Sequence, residues 1–104
     1  MRELHLNLKR KWFDMIAFGE KTEEYRELKP YWDARLKGKS FDVITFSNGY
    51  SKNAPSITVE YLGTSVGIGR VDWGASEKPV YILKLGEVLS GHNCEHLDLA
   101  EIES

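Results

Sequence analysis

Leu4, Leu6 and Leu8 alternate with Glu3, His5 and Asn7 at the start of the chain. This pattern predicts a half-buried strand over Glu3–Leu8. From Lys9 to Phe18 the apolar positions change to helical spacing, with Trp12, Phe13, Ile16 and Ala17 in register. Gly19 is placed to end that helix in the left-handed conformation. Pro30 can open a second, short helix over Pro30–Leu36, which Gly38 ends. Phe41–Phe46 reads as a compact strand followed by the turn signal Asn48-Gly49. Ile57, Val59 and Tyr61 alternate with Thr58 and Glu60 in a further strand, and Val80–Leu85 is a buried strand of good β-formers. Between these two, Gly63–Lys78 holds four glycines and reads as a long loop with room for a short ribbon. The last fifteen residues are polar and peripheral. Four or five strands and two short helices with brief connections predict an α+β fold that is mostly β. The expected architecture is a small antiparallel β-barrel with both helices on its rim. No repeat or linker divides the chain, so one domain is expected over residues 1–88, followed by an acidic polar tail over 89–104.

One stretch resists assignment by pattern. GEKTEEYR, Gly19 to Arg26, is almost wholly charged or hydroxylic yet lies between the apolar stretches WFDMIAF and PYWDARL. Thr22–Leu28 suits a helix by propensity, with Thr22 as its N-cap and Glu23 and Glu24 in the first turn. As a strand, the same residues would put Thr22, Glu24 and Arg26 on one face and Glu23 and Tyr25 on the other. Glu24 and Arg26 would then be neighbours able to pair. Exposed, such a pair contributes at most about 1 kcal/mol; in a cleft it holds an acid, a guanidinium and the Lys21 amine close together.

Composition alters this picture little. A chain of 104 residues with 41% hydrophobic residues can bury a domain core. No apolar run exceeds four residues, which excludes a membrane-spanning helix, and MRELHLNLKR lacks the apolar core of a signal peptide. The lone Cys94 cannot form an internal disulfide, so a cytoplasmic setting is expected. Charge is uneven. Lys9–Lys39 carries nine basic and six acidic residues, a net +3, whereas Leu89–Ser104 carries four acids and no Lys or Arg, a net −4. A basic first third permits an anionic partner such as nucleic acid, without requiring one.

Several further features carry candidate chemistry. Ser47–Pro55 (SNGYSKNAP) is a polar loop in which Tyr50 can stack on a base while Lys52 meets phosphate; the plain alternative is a hairpin loop. GTSVGIGRVDWG, Gly63–Gly74, lacks the Lys-Ser/Thr ending of a phosphate-binding loop and reads as a barrel loop whose Arg70 and Trp73 can cover a ligand. His92, Cys94 and His96 alternate as potential ligands, but their spacing matches no usual zinc pattern, so no metal is expected. Trp12, Phe13, Tyr31 and Trp32 read as core or helix-packing residues. Lys9, Arg10 and Lys11 crowd the positive end of the first helix, where they suit phosphate contact or plain solvation.

The order Gly19, Lys21, Glu24, Arg26 resembles the G-x-K-x-x-E-x-R signature of the ASCH domain family, whose fold is similar to the PUA domain. LHLNLKRKWFDMIAFGEKTEEYR resembles that family's opening strand and helix, and PVYILKLGEVL its closing strand. Together these span most of residues 4 to 88. The resemblance implies that Lys21–Arg26 is strand, within a PUA-like barrel whose groove suits RNA or a modified nucleotide. Lys21 and Arg26 would then contact phosphate, and Glu24 would accept from a base amine or orient Arg26. Some members of the family look like ribonucleases or small hydrolases that remove the acetyl group of 4-acetylcytidine with a lysine, a threonine and a glutamate. Lys21 matches that lysine; Glu24 stands at the threonine position, and GTSVGIGRVDWGAS stands where those hydrolases carry a helical insertion with the glutamate.

The expectation is an RNA-binding module without a cofactor. Its groove is built from Lys21, Glu24 and Arg26 and extended by Lys9, Tyr50 and Lys52. The alternative is a small metal-independent hydrolase in which Lys21 and Glu24 transfer protons. A third possibility is a protein-interaction domain in which Glu24 and Arg26 only hold the fold.

Overall fold

The computed structural model describes residues 2–95. Its elements follow the order β1 (Glu3–Asn7), α1 (Arg10–Ala17), β2 (Glu23–Arg26), α2 (Pro30–Leu36), β3 (Val43–Ser47), β4 (Ser56–Gly67), a single 3-10 turn (Val71–Trp73) and β5 (Val80–His92). One five-stranded sheet runs in the order β1-β3-β4-β5-β2. It is mixed: β1 pairs parallel with β3, and the other three pairings are antiparallel. The sheet curls into a half-barrel with the two helices beside it, a small α+β barrel-like fold. The one departure from the expected antiparallel arrangement follows from the crossover. β1 and β3 are joined through α1, β2 and α2, and a connection of that length can return the chain in the same direction. No helix among the described residues is long and apolar enough to cross a membrane.

The core is the inner face of the curl. Leu4 and Leu6 of β1, Ile44 and Phe46 of β3, Ile57 and Val59 of β4, and Leu83 and Leu85 of β5 all point into it. Phe13 and Ile16 of α1 and Leu36 of α2 close it over. This is the pattern of alternating and helical apolar positions realised in space.

Two strands run longer than their local patterns suggest. β4 continues through Gly63 to Gly67, and β5 continues from Leu85 to His92. β4 and β5 pair over almost their whole length, from Ser56↔His92 to Gly67↔Val80, with register shifts between Thr58 and Gly63. The glycine-rich stretch is therefore ladder as far as Gly67, and residues 89–92 of the expected tail are strand. His96 and the residues after it lie outside the described residues.

A charged strand backed by a buried lysine

The turn after α1 sets the site. Gly19, at φ 81°, closes the helix, and its amide bonds the Ile16 carbonyl while the Glu20 and Lys21 amides both bond that of Met15. Such a left-handed cap reverses the chain sharply, and here it turns Lys21 inward. The chain then extends as β2 against β5, with Glu24 opposite Leu83 and Arg26 opposite Tyr81.

Lys21 is enclosed; its side chain has no exposed surface. Its ammonium donates to Glu24 Oε1 at 2.5 Å and lies 5.5 Å and 5.2 Å from the ring centres of Trp12 and Tyr25. The other oxygen, Glu24 Oε2, is 2.7 Å from Arg26 Nη2. Arg26 in turn donates to the Asn7 carbonyl at 3.2 Å and stacks over Trp32 at 5.0 Å. Lys21, Glu24 and Arg26 thus form one chain of charge, cation–anion–cation. Burial lowers the Lys21 pKa, outweighing the Glu24 carboxylate that raises it.

The opposite face of β2 holds the glycine-rich segment. The Tyr25 hydroxyl donates to Glu23 Oε1 at 2.7 Å and accepts from the Arg70 amide at 3.1 Å. Burial pushes the Tyr25 phenol up to about 12. Gly69 lies directly on the Tyr25 ring, where any Cβ would stand 2.7 Å from it, and Gly74 packs on Trp12. Beyond them Arg70 pairs with Asp72 at 2.7 Å and lies over the Trp73 ring at 4.0 Å.

A groove of about 500 Å³ opens over this arrangement. Asn7, Leu8, Lys9 and Trp12 line one side, Glu24 to Glu27 its floor, and Tyr50, Trp73 and Gly74 the rest. The loop carrying Tyr50 is tied to the end of β1: Asn7 Nδ2 donates to the Gly49 carbonyl at 2.6 Å and Asn48 Nδ2 to the Leu8 carbonyl at 3.0 Å. Tyr50 itself is 93% exposed. A second hollow of about 250 Å³ shares Tyr25, Arg26, Glu27 and Gly74 and extends past Trp32.

Of the residues singled out from sequence, Lys9, Glu24, Arg26 and Tyr50 meet in this groove. Lys21 does not line it; the ammonium stands behind Glu24, where it can act on a ligand only through that carboxylate. Lys52 is exposed on the Tyr50 loop and also lies outside the lining. Trp73, expected from sequence as able to cover a ligand together with Arg70, lines the groove while Arg70 does not; Trp12 is a groove residue that the local pattern hid. Helical spacing groups Trp12 with the buried Phe13 and Ile16, and the segment carrying Trp73 rests on Tyr25 and Trp12 at Gly69 and Gly74. Cys94 donates to the Ser56 and His92 carbonyls at 3.3 Å each, so its thiol is engaged with backbone.

Chemically, the groove offers two cations (Lys9 and Arg26), two carboxylates (Glu27, and Glu24 with both oxygens already bonded) and four aromatic side chains (Trp12, Tyr25, Tyr50 and Trp73). It has charge to orient a ligand and flat surfaces to stack it. Comparison with protein-family models, with curated proteins and with solved structures finds no match to this chain.

Proposed function

We propose that the chain is an ASCH-like nucleic-acid-binding module whose groove takes single-stranded RNA or a nucleotide-like ligand. One observation carries this reading: Lys9 and Arg26 share a groove with Trp12, Tyr50 and Trp73. Cations that follow a phosphate backbone, interleaved with rings that stack on bases, are the usual means of holding a single strand. Arg26 is pre-set for this role by Glu24 and Asn7, and a guanidinium held in place suits phosphate better than a free one. Lys21 serves as a buried support that fixes Glu24.

Titration of a fluorescently labelled single-stranded RNA at several salt concentrations tests the reading. Tyr50→Ala, at an exposed position where folding is not at stake, is expected to weaken binding by about 1–3 kcal/mol if the ring stacks on a base. Lys9→Ala is expected to reduce the slope of log affinity against log salt by about 0.7, the share of one phosphate contact on a single strand. Unchanged affinity and slope in both variants would overturn it.

A hydrolase acting on RNA or on a modified nucleoside is the second reading. The desolvated Lys21 amine, hydrogen-bonded to a carboxylate on the groove floor, favours it. Mass spectrometry of short RNAs and modified nucleosides after incubation separates the two. A product formed by the unmodified protein and not by a folded Glu24→Gln variant means catalysis; an unaltered pool leaves binding alone.

A further inference from the structure

β3 accompanies β4 only as far as the Val43↔Glu60 pair, while β4 runs on to Gly67 with β5. From Leu62 to Gly67, therefore, β4 has a ladder partner on one side only among the described residues. The register shifts end at Gly63, which takes a φ of 125°, so regular strand runs from Thr64 to the end of the edge segment Gly63–Gly67. Its sequence, GTSVG, holds no charge and no proline. Sheet edges in natural proteins are ordinarily blunted by lysine, proline or a bulge; here the last register shift lies at the start of the edge, and Thr64–Gly67 beyond it has none of these.

The edge is not open to bulk solvent on all sides. A groove of about 360 Å³ runs between it and the linker from α2 to β3. Gly63 to Val66 form one wall, and Leu36 to Ser40 the other. Lys37 and Lys39 line the linker side, both exposed, and neither has a salt-bridge partner among the described residues. No carboxylate lines the groove. Asp33, the carboxylate bonded to the lining residue Tyr81, is engaged by the Tyr81 hydroxyl. Val66, 58% exposed, supplies an apolar contact at the edge.

We propose that this groove is a strand-addition site for an extended peptide segment bearing acidic side chains. The peptide would pair with the free edge of β4 through backbone hydrogen bonds, while its carboxylates meet Lys37 and Lys39. A second copy of the chain fits less well, because each edge is flanked by its own linker and the lysines of both copies would be brought together. Nucleic acid also fits less well, since the one aromatic ring on the edge strand, Tyr61, is turned against Phe41 and bonded to Thr64. The site is separate from the groove over β2, so it stands or falls independently of nucleic-acid binding.

The test is fluorescence polarisation with a short labelled peptide of alternating valine and glutamate, beside its valine–lysine counterpart. Hydrogen exchange then locates the bound segment. The acidic peptide is expected to bind in a salt-sensitive way and to protect amides of Leu62–Gly67. The double variant Lys37→Glu/Lys39→Glu, altered only at exposed positions, is expected to weaken binding by about tenfold or more, with RNA titration through the β2 groove unchanged. Equal binding of the valine–lysine peptide, or protection confined to the β2 groove, would overturn the proposal. So would a concentration-dependent dimer, or RNA binding, that the same double variant abolishes.

Discussion

Lys21 has no exposed side-chain surface and Glu24 has 8%, so the 2.5 Å contact between them is held out of water. Dehydrating ions costs several kcal/mol each, and only close geometry with further hydrogen bonds offsets it. The two partners are not equivalent. Glu24 also has Arg26 at 2.7 Å, whereas Glu24 is the sole carboxylate at salt-bridge distance from Lys21 among the described residues. Glu24→Ala strands a buried ammonium and is expected to cost about 3–5 kcal/mol. Lys21→Met leaves the Glu24–Arg26 pair in place and is expected to cost roughly 1–3 kcal/mol. Urea denaturation reads the order, and a larger loss in Lys21→Met would contradict it. The same lysine leaves a mark on pH dependence. Its native pKa is lowered beneath 10.5, chiefly by burial. Between that lowered value and 10.5 the unfolded chain holds a proton that the native chain has released, so stability rises with pH in that interval. Tyr25 acts with the opposite sign. Its phenol is raised from 10.0 to about 12, so above 10.0 the unfolded chain loses a proton that the native chain keeps, and stability falls. Lys21→Met is expected to remove the rise and keep the fall, which denaturation at a series of pH values checks.

Glu23–Arg26 shows what decides an element when propensity does not. Its residues suit a helix, and the Lys21–Glu24 pair is spaced as helical neighbours are. The deciding partner is β5, whose Tyr81–Leu83 segment is buried and has a ladder on each side, β4 on one and β2 on the other. Buried backbone groups need partners, and that demand comes from residues far along the chain. The same pairing explains why Gly63–Gly67 is strand despite its glycines. Where the signal is local, the pattern was sufficient: Pro30–Leu36 is helix from its first-turn proline to the buried Leu36, as expected. The site divides in the same way. Lys21, Glu24 and Arg26 stand out in the chain because they fall within six residues, whereas the joining of Trp12 to Trp73 depends on two close glycine contacts that no local pattern contains. One of those contacts is testable. A Cβ at Gly69 would stand 2.7 Å from both Tyr25 Cε1 and Ala75 Cβ, so Gly69→Ala is expected to cost about 1–3 kcal/mol by overpacking. Combining it with Tyr25→Ala removes one obstruction, and a double-mutant cycle is expected to show a less-than-additive loss. Strict additivity would mean that the segment does not rest on Tyr25.

The order β1-β3-β4-β5-β2 makes β1 and β2 the two ends of the sheet, and its curl brings them to face one another. They are joined there by a side chain and not by a ladder: Arg26 reaches across from β2 to the carbonyl of Asn7 at 3.2 Å. The groove opens along this seam, with Asn7 to Lys9 on one side and Glu24 to Glu27 on the other. The place where the half-barrel is least closed by backbone pairing is therefore also where its charges and rings converge. Arg26 carries both tasks, tying the edges and facing the groove, and the first can be measured without any ligand. Arg26→Met keeps much of the stacking bulk over Trp32 but cannot donate to Asn7 or pair with Glu24. Local openings report on such ties through amide exchange. The expected result is faster exchange at Asn7 and Leu8 together with Glu24 to Glu27, while Val59 and Leu83, fully buried in the paired strands β4 and β5, keep their protection. Faster exchange in β2 alone would mean that the bond to Asn7 does not hold the seam, and that β1 is kept in place by its parallel pairing with β3.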